Sequence, residues 1–470
     1  MNSRAVLIAM LPEHLLLLGI VLLIGLALIG RWQRGWLAIA LLCVAGAALA
    51  AARLALAGYA AAPFAGQFSV TPATLLAKAL VLAFALPVLM MARDEFDDAT
   101  TGARGAGSEF ALLLLASLYG ACLLQSADSF LTLFLGLELM SLPVYVLVLL
   151  AYRRPQSAEA ALKYLVLGGT ASAMLLMGAS LLYGASGSMA TATFAGALGA
   201  TDTLSRAAVV LVLLAFLLKA AIVPFHTWAP DAYEGASVPV TAYMASIVKA
   251  GVLLAVVRLF GKATLVSPML ELLAVLPLVS IVWGNLAAMR QPSFRRMIAY
   301  SSIAHAGYLF YALLGAAAGR QQAVVFYLLA YALLNLLAFA ALPSAADDRE
   351  RDRLDNLKGL FHRAPFAALM IAIAMLSLAG IPPFPGFIAK FMIFRNVMAA
   401  GHTTYAVLGL VGSYLGIYFY LRVVQFMFMS PDAVVPAAGR ASRWVLGASL
   451  MCLAAAALVA VLPGWVMGGL

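Results

Sequence analysis

Fourteen long apolar segments follow one another along this sequence, and they restrict the possible folds more than any other feature. They lie near residues 10–30, 36–57, 71–91, 109–127, 129–151, 158–184, 204–225, 237–260, 266–288, 295–316, 321–342, 366–398, 404–428 and 443–466. An α-helix of about 20 apolar residues crosses the roughly 30 Å hydrocarbon core of a membrane. Because 65% of the residues are hydrophobic and only 10% are charged, a soluble globule, with its usual charged fraction of about 25%, is excluded. The sequence predicts an all-α polytopic membrane protein with about fourteen transmembrane helices.

Positive charge is distributed unevenly over the loops between these segments. Counted on alternate sides of the membrane, 16 Lys and Arg residues fall on one side and seven on the other. Since loops rich in Lys and Arg stay in the cytoplasm, we expect the first side, with the polar loop at 345–363, to be cytoplasmic. Both termini are then expected outside. The net charge of +10 is attributed to membrane orientation, and nucleic acid is not an expected partner.

Two of the apolar segments contain proline-rich interruptions. Pro224 opens the stretch PFHTWAPDAYEG, and residues 380–386 read GIPPFPG. Proline removes a backbone donor and breaks a helix, so we expect non-helical backbone at 224–230 and 381–386. Broken helices in corresponding positions indicate two inverted five-helix repeats, although two independent kinks would give the same pattern. The predicted divisions are helices 1–3 (1–105), a first repeat (106–263), a second repeat (264–430) and a last helix (431–470).

Five ionisable residues lie deep inside apolar segments: Glu138, Lys219, Lys249, His305 and Lys390. A charge at the bilayer centre costs about 2.5–3.5 kcal/mol on insertion scales, and such residues are typical of ion pathways. We interpret the five as proton-exchangeable groups of a proton path along the membrane midplane. Two alternatives stay open: Glu138 and Lys219 are a static ion pair, and His305 is a core histidine.

Other charged residues have simpler explanations. Lys78 and Lys163 lie near the ends of their segments, where long side chains can reach the membrane interface. We interpret Lys78 as structural, whereas for Lys163 a functional and a structural role stay equally open. Asp231 and Glu234 lie in a turn rich in Pro and Gly, and we expect them to cap helix ends.

No metal or nucleotide site is indicated. The three cysteines, Cys43, Cys122 and Cys452, stand alone in apolar segments without CxxC spacing or neighbouring histidines, so zinc or iron–sulfur ligation by this chain is not expected. Neither GxGxxG nor a P-loop occurs. Any work done by the chain therefore draws on an ion gradient or on partner subunits.

Three sequence motifs carry a family resemblance. KAAIVPFHTWAPD (219–231), SSIAHAGY (301–308) and AGIPPFPGFIAKF (379–391) resemble segments of the antiporter-like subunits of respiratory complex I and of multisubunit cation/proton antiporters. The resemblance extends from about residue 100 to 430. GLELMSLPVYVL (136–147), EAALKY (159–164) and DAYEG (231–235) are similar to the subunit N type in particular.

The resemblance implies a fourteen-helix subunit with inverted five-helix repeats that contributes a proton channel to the membrane arm. It implies that Glu138 and Lys219 are a coupled pair, that Lys249 is a central relay, and that Lys390 is the terminal group of the second half-channel. His305 is counted among the same proton-translocating residues. The resemblance further implies that this chain holds no cofactor, and that flavin, iron–sulfur clusters, NADH and quinone belong to partner subunits. Its expected partners are other membrane-arm subunits, both antiporter-like and small, in the lipid bilayer of the bacterial inner membrane, with periplasmic termini.

Three functions are consistent with these features. The first is a proton-translocating subunit of an NADH:quinone oxidoreductase. The second is a subunit of a cation/proton antiporter or membrane-bound hydrogenase with the same channel. The third is a structural spacer whose buried charges are frozen ion pairs.

Overall fold

The computed structural model describes residues 3–29, 35–96, 106–151, 155–261, 263, 265, 269–343, 353–430 and 442–464. The extreme termini and residues 345–352 of the predicted cytoplasmic loop lie outside the described residues. Within them nearly all secondary structure is α-helical, and the predicted fold class is confirmed. A short antiparallel hairpin, β1 (Ala61–Phe64) and β2 (Phe68–Val70), is the one sheet in the described part of the chain.

The helices are numbered in chain order. The first half contains α1 (Ser3–Ala9), α2 (Leu11–Leu28), α3 (Trp36–Leu56), α4 (Pro72–Glu95), α5 (Ala106–Gln125), α6 (Phe130–Leu149), α7 (Pro155–Ser186), α8 (Ala192–Ala197), α9 (Thr203–Lys219), α10 (Trp228–Gly235), α11 (Val238–Tyr243) and α12 (Lys249–Phe260). The second half contains α13 (Met269–Ala288), α14 (Phe294–Tyr311), α15 (Ala317–Ala340), α16 (Leu360–Arg363), α17 (Pro365–Ala379), α18 (Pro385–Ala399), α19 (Thr403–Phe428) and α20 (Arg443–Val461).

Polar side chains cap the starts of several helices. Thr71 and Thr74 form a reciprocal capping box at α4, and the side chains of Ser129 and Ser293 accept backbone N–H groups at α6 and α14. Asp202 caps α9, and the N–H of Ser205 that it accepts lowers the pKa of Asp202. These residues satisfy backbone donors that a helix start leaves unpaired.

Twelve helical segments in the described residues are long and apolar enough to cross a membrane. In this count α11 and α12 form one segment, because the π-helical turn Met244–Val248 joins them. Two further apolar stretches are split into the pairs α9–α10 and α17–α18. If each pair crosses the membrane once, the total is the predicted fourteen; this count and the inverted repeats stay predictions.

Both predicted helix breaks occur, but they lie nearer the N-terminus than expected. The backbone is non-helical at 220–227 and 380–384, instead of 224–230 and 381–386. The reason is that Pro230 lies in the first turn of α10 and Pro385 is the first residue of α18. Proline fits the first turn of a helix, where its missing N–H has no partner to lose. These prolines therefore open the second helix of each pair.

The chain forms two compact units. The first comprises Met1–Ala220, Gly235–Val240 and Ile247–Val266, and in it α5 packs along α6, α7 along α9, and α3 along α4. The second comprises Ala221–Glu234, Thr241–Ser246 and Ser267–Leu470, and in it α13 packs along α14 and α19, and α15 along α18 and α20. The predicted divisions at 105, 263 and 430 describe internal repeats rather than packing, and they stay a prediction.

The β-hairpin fixes the start of α6, the helix that carries Glu138. The N–H of Ser69 donates to the carbonyl of Ser126 at 2.9 Å, and the N–H of Asp128 donates to the carbonyl of Gln67 at 3.0 Å. The Ser129 hydroxyl donates to the Gln67 side chain at 2.5 Å. The predicted separation of two helices at Asp128 is confirmed, because α5 ends at Gln125 and α6 begins at Phe130. Gln67 and Ser69 of the hairpin form hydrogen bonds with the loop between these helices.

Candidate functional site: a buried Glu–Lys pair and three further ionisable groups

Glu138 lies in the middle of α6 on a face that also carries two hydroxyl groups. Ser141 and Tyr145 follow it by three and seven residues, a spacing that places all three side chains on the same side of a helix. Lys219 is the last residue of α9, at the first helix break. A cation at this position is favoured by the partial negative charge of the helix C-terminus.

The amine of Lys219 contacts three oxygen atoms of α6. Its Nζ donates to Glu138 Oε1 at 3.1 Å, to Ser141 Oγ at 3.3 Å and to Tyr145 OH at 3.4 Å. The side chain of Lys219 is 6% exposed and that of Glu138 is 18% exposed. Because an ammonium group has three protons to donate, this arrangement provides an acceptor for each of them.

A third helix holds the carboxylate of Glu138. The hydroxyl of Ser172 on α7 donates to Glu138 Oε1, and it also lies 3.0 Å from the carbonyl of Gly168. The Tyr145 hydroxyl occupies the space that a side chain at position 168 would need. A Cβ at Gly168 would overlap that hydroxyl. Ser141, Tyr145 and Ser172 were not among the predicted site residues. The spacing of Glu138, Ser141 and Tyr145 was a usable signal in the sequence, whereas Ser172 had none.

Lys249 directly follows the π-helical turn Met244–Val248, as the first residue of α12. It is 7% exposed, so the predicted burial is observed. On the same helix, the carbonyl of Gly251 accepts a hydrogen bond from the Gln125 side chain of α5 at 3.3 Å. This contact ties the first turn of α12 to α5 within the first unit.

His305 lies in α14 and is 4% exposed. The Tyr420 hydroxyl lies 3.0 Å from its Nε2, and the Tyr327 hydroxyl lies 2.8 Å from its Nδ1, both in hydrogen bonds. The rings of Tyr308 and Tyr331 pack against the imidazole, with centroids 5.5 Å and 4.8 Å away. His305 is thus buried in a pocket of tyrosines within the second unit.

Lys390 reaches back across the second helix break. Its Nζ donates to the carbonyl of Ala379, the last residue of α17, at 3.0 Å, and it lies 5.2 Å from the centre of the Tyr308 ring. Lys390 is 8% exposed. Lys390 belongs to α18, but its amine, like that of Lys219, is buried near the C-terminal end of the first helix of a broken pair, where positive charge is favoured.

The structure brings some of the predicted residues together. Glu138 and Lys219 are in direct contact in the first unit. In the second unit, His305 and Lys390 both pack against Tyr308. Lys249 lies in the first unit, on a helix that α5 contacts.

The structural interpretation of Lys78 from the sequence is wrong. Lys78 does not reach an interface: its side chain and that of Glu13 are both completely buried, with Nζ 2.6 Å from Glu13 Oε1. The amine of Lys78 also lies 4.8 Å from the centre of the ring of Phe68, a residue of the β-hairpin. The position of Lys78 along its apolar segment could not show that the hairpin covers it.

Asp231 and Glu234, which the sequence predicts as helix caps, both form ion pairs with one arginine. Both carboxylates contact Arg296 of α14, at 2.9 Å and 2.8 Å. They lie in α10 one turn apart, so they share one face and one guanidinium.

Candidate metal ligands do not cluster in the described part of the chain: it contains no group of three or more His, Cys, Asp or Glu side chains able to hold a metal ion. The predicted buried cysteines Cys43, Cys122 and Cys452 are free thiols. The carboxylate, amine, imidazole and hydroxyl groups of the site residues are able to donate and accept protons.

Comparisons with known proteins identify the family of this chain. The sequence profile of the transmembrane family of NADH:quinone oxidoreductases and Mrp antiporters matches residues 127–416. NADH-quinone oxidoreductase subunit N of Pelobacter propionicus is 42% identical over 370 residues, which cover 78% of this chain and 80% of that protein. The corresponding subunit N of Granulibacter bethesdensis is 36% identical over 462 residues, which cover 94% of this chain and 92% of that protein.

Solved structures share the fold over nearly the whole chain. A chain of respiratory complex I from Thermus thermophilus superposes with a TM-score of 0.80 at 36% identity, covering 97% of this chain and 98% of that one. A chain of the Mrp complex from a Dietzia species gives a TM-score of 0.81 at 22% identity, with coverages of 98% and 96%, and shares the fold. The chain belongs to the transmembrane family of NADH:quinone oxidoreductases and Mrp antiporters and, within it, to the family of NADH-quinone oxidoreductase subunit N.

Proposed function

We propose that this chain is a proton-translocating membrane-arm subunit of an NADH:quinone oxidoreductase. Glu138, Lys219, Lys249, His305 and Lys390 are its proton-carrying groups. The relatives are named subunit N of that enzyme, and the chain has the fold of a respiratory complex I subunit. The observation that carries the proposal is the Glu138–Lys219 pair, buried beside a helix break and surrounded by hydroxyl groups.

The surroundings of this pair suit proton exchange better than a frozen contact. A buried ammonium is stabilised by a nearby carboxylate, and it releases its proton more readily once that carboxylate moves away or is neutralised. The hydroxyls of Ser141 and Tyr145 lie within hydrogen-bonding distance of the same amine, and they can both accept and donate a proton. Lys219 therefore has neighbours able to take its proton when Glu138 no longer holds it.

The coupling machinery is assigned to partner subunits. Flavin, iron–sulfur clusters and the NADH and quinone sites belong to those subunits, and this chain holds no cofactor. Its neighbours are the other antiporter-like and small subunits of the membrane arm, in a bacterial inner membrane, with both termini in the periplasm. The charge distribution of the loops supports this orientation.

A cation/proton antiporter is the second candidate function. The match to the Mrp complex supports it at the level of the fold, and the same buried groups would serve either function. The composition of the purified complex distinguishes the two, because only the oxidoreductase contains flavin and iron–sulfur subunits. A structural spacer, the third candidate, is tested by the experiment below.

The test compares Glu138→Gln, Lys219→Met and the double variant for assembly and for NADH-driven proton pumping in inverted membrane vesicles. Each single variant leaves one buried charge unpaired, which costs about 3–5 kcal/mol, so assembly is reduced. The double variant leaves none, and we expect it to assemble at least as well as either single variant. Its pumping rate per assembled complex is expected to be at least about tenfold lower than normal, because the proton carrier is gone.

The matched control is a second buried ion pair, Glu13–Lys78, which has no hydroxyl partner among the described residues. The double variant Glu13→Gln/Lys78→Met is expected to assemble and pump normally. Normal pumping by the Glu138/Lys219 double variant would refute the proton-carrying role of this pair and leave the static ion pair as its explanation.

A further inference from the structure

His305 is connected to two other helices through both of its ring nitrogens. Tyr420 of α19 contacts Nε2 at 3.0 Å, and Tyr327 of α15 contacts Nδ1 at 2.8 Å. The Tyr420 hydroxyl also lies 2.5 Å from the hydroxyl of Ser301, one turn before His305 on α14. Ser301, Tyr420, His305 and Tyr327 thus form an unbroken chain of hydrogen bonds within the second unit.

Each member of this chain can both donate and accept a proton. A neutral imidazole has one protonated and one unprotonated nitrogen, and a hydroxyl has one proton and two lone pairs. All four side chains are at most 4% exposed, so bulk water does not compete for these hydrogen bonds. A core histidine needs a partner on each nitrogen, but it does not need partners that are themselves able to pass a proton on.

We propose that Tyr420 and Tyr327 are proton-relay residues that carry protons to and from His305, an inference that rests on the proposed function. A proton reaching one tyrosine is passed to the facing ring nitrogen, and the proton on the opposite nitrogen moves to the other tyrosine. On the entry side one O–H bond breaks and one N–H bond forms; on the exit side one N–H bond breaks, one O–H bond forms, and the exit tyrosine releases its own proton onward. The transfer leaves the imidazole in its other tautomer, so the next proton in the same direction requires the imidazole to rotate and the hydroxyls to reorient.

Lys390 is adjacent to this chain but is not a member of it. Its amine lies over the Tyr308 ring, and that ring packs edge-on against His305. The Tyr308 hydroxyl accepts a hydrogen bond from the Asn285 side chain at 3.2 Å. Lys390, a second buried proton-exchangeable group of the same unit, is therefore separated from His305 by one aromatic ring.

The test removes one hydroxyl at a time and keeps each ring in place. Tyr327→Phe, Tyr420→Phe and the double variant are compared in the intact complex for assembly and for proton pumping in inverted vesicles. Each single variant is expected to assemble normally and to lower the pumping rate per assembled complex by about tenfold or more, the usual effect of losing a positioned proton donor. The double variant is expected to be no worse than the poorer single variant, because a second substitution in a chain that is already interrupted removes no further proton path.

Tyr311→Phe is the matched control. Tyr311 is a completely buried tyrosine of the same helix as His305, and its hydroxyl has no hydrogen-bond partner among the described residues. We expect this variant to pump normally. Losses that multiply in the Tyr327/Tyr420 double variant, or losses confined to assembly, would overturn the relay and leave a packing role.

Comparison with Lys219→Met separates this inference from the proposed function. Normal pumping by both tyrosine variants, with pumping abolished by Lys219→Met, refutes the tyrosine relay and leaves the proposed function standing. Normal pumping by all three variants refutes both.

Discussion

Two buried Glu–Lys pairs in this chain differ in what surrounds them. The amine of Lys219 contacts two hydroxyl groups besides its carboxylate. The oxygens of Glu13 and the amine of Lys78 have no hydrogen-bond partner among the described residues beyond their mutual ion contact. A proton that leaves Lys219 has an acceptor other than glutamate, whereas a proton that leaves Lys78 does not. We therefore assign proton exchange to the first pair and a static structural role to the second.

The static role of Glu13–Lys78 predicts a specific pattern of stability. Glu13→Gln or Lys78→Met alone leaves one fully buried charge without its partner, and we expect each to destabilise the protein by about 3–5 kcal/mol. Glu13→Gln with Lys78→Met leaves no charge and is expected to recover most of that loss. The measurement is the amount of assembled complex and its thermal stability in detergent.

The exposed pair Glu159–Lys163 serves as the control for these variants. Its side chains are 66% and 44% exposed and lie one turn apart on α7, so neutralising both is expected to change stability by less than about 1 kcal/mol. A Glu13/Lys78 double variant as unstable as the sum of its two single variants would contradict the static pair.

Each of the two helix breaks joins a pair of shorter helices, and a lysine amine lies near the C-terminal end of the first helix of each pair. Lys219 ends α9, and Lys390 contacts the last carbonyl of α17. At each break, a buried amine therefore lies close to the C-terminus of a helix. An unbroken helix would have used the carbonyl of Ala379 in its own hydrogen bonds.

Close packing of α7 against α6 keeps the Tyr145 hydroxyl beside the Lys219 amine. A glycine substitution in α7 tests whether this packing matters. A methyl group at Gly168 would overlap the Tyr145 hydroxyl, whereas one at the neighbouring Gly169 meets nothing within 4 Å. We expect Gly168→Ala to displace Tyr145, to cost about 1–3 kcal/mol through overpacking, and to lower proton pumping several-fold. Assembly and pumping in vesicles are the measurements.

Gly169→Ala is the control for the same helix. Removing a glycine from a helix interior stabilises it by about 0.4–1 kcal/mol when space allows, so this variant is expected to assemble and pump normally. Equal effects of the two substitutions would show that the contact between Gly168 and Tyr145 does not matter for Lys219.

The sequence was sufficient to single out the buried ionisable residues, because a charge inside an apolar segment stands out against its neighbours; their role in proton transfer stays a proposal. It was also sufficient to find both breaks, although not to place their ends, since a proline that interrupts a helix also suits the first turn of the next. Ser172 and Tyr327 could not be identified in this way. Serine and tyrosine are common in such helices, and their importance depends on which helix packs opposite them. Lys78 was misinterpreted for the same reason, because position along a segment does not show what covers it.

The number of membrane crossings decides on which side each terminus lies. In the described residues, twelve long helices and two broken pairs give fourteen crossings if each pair crosses once, so both termini would lie on the same side. If either pair dipped into the membrane and returned, the count would be thirteen and the termini would lie on opposite sides. The orientation of the chain is therefore a test of whether the broken pairs span the membrane.

Cysteine labelling in intact cells measures that orientation. Ala65, at the exposed tip of the β-hairpin, and position 350 in the polar loop are separated by nine crossings in the fourteen-crossing topology, so they lie on opposite sides. Because the 16-to-7 excess of Lys and Arg marks the side of the loop as cytoplasmic, a membrane-impermeant maleimide is expected to label Ala65→Cys and a cysteine added after Leu470, and to spare Glu350→Cys. The native Cys43, Cys122 and Cys452 are buried and give little background. Labelling after cell lysis is the control that Glu350→Cys is reactive. Labelling of Ala65→Cys but not of the C-terminal cysteine in intact cells would mean that one segment between them, with the broken pairs as the first candidates, does not cross the membrane.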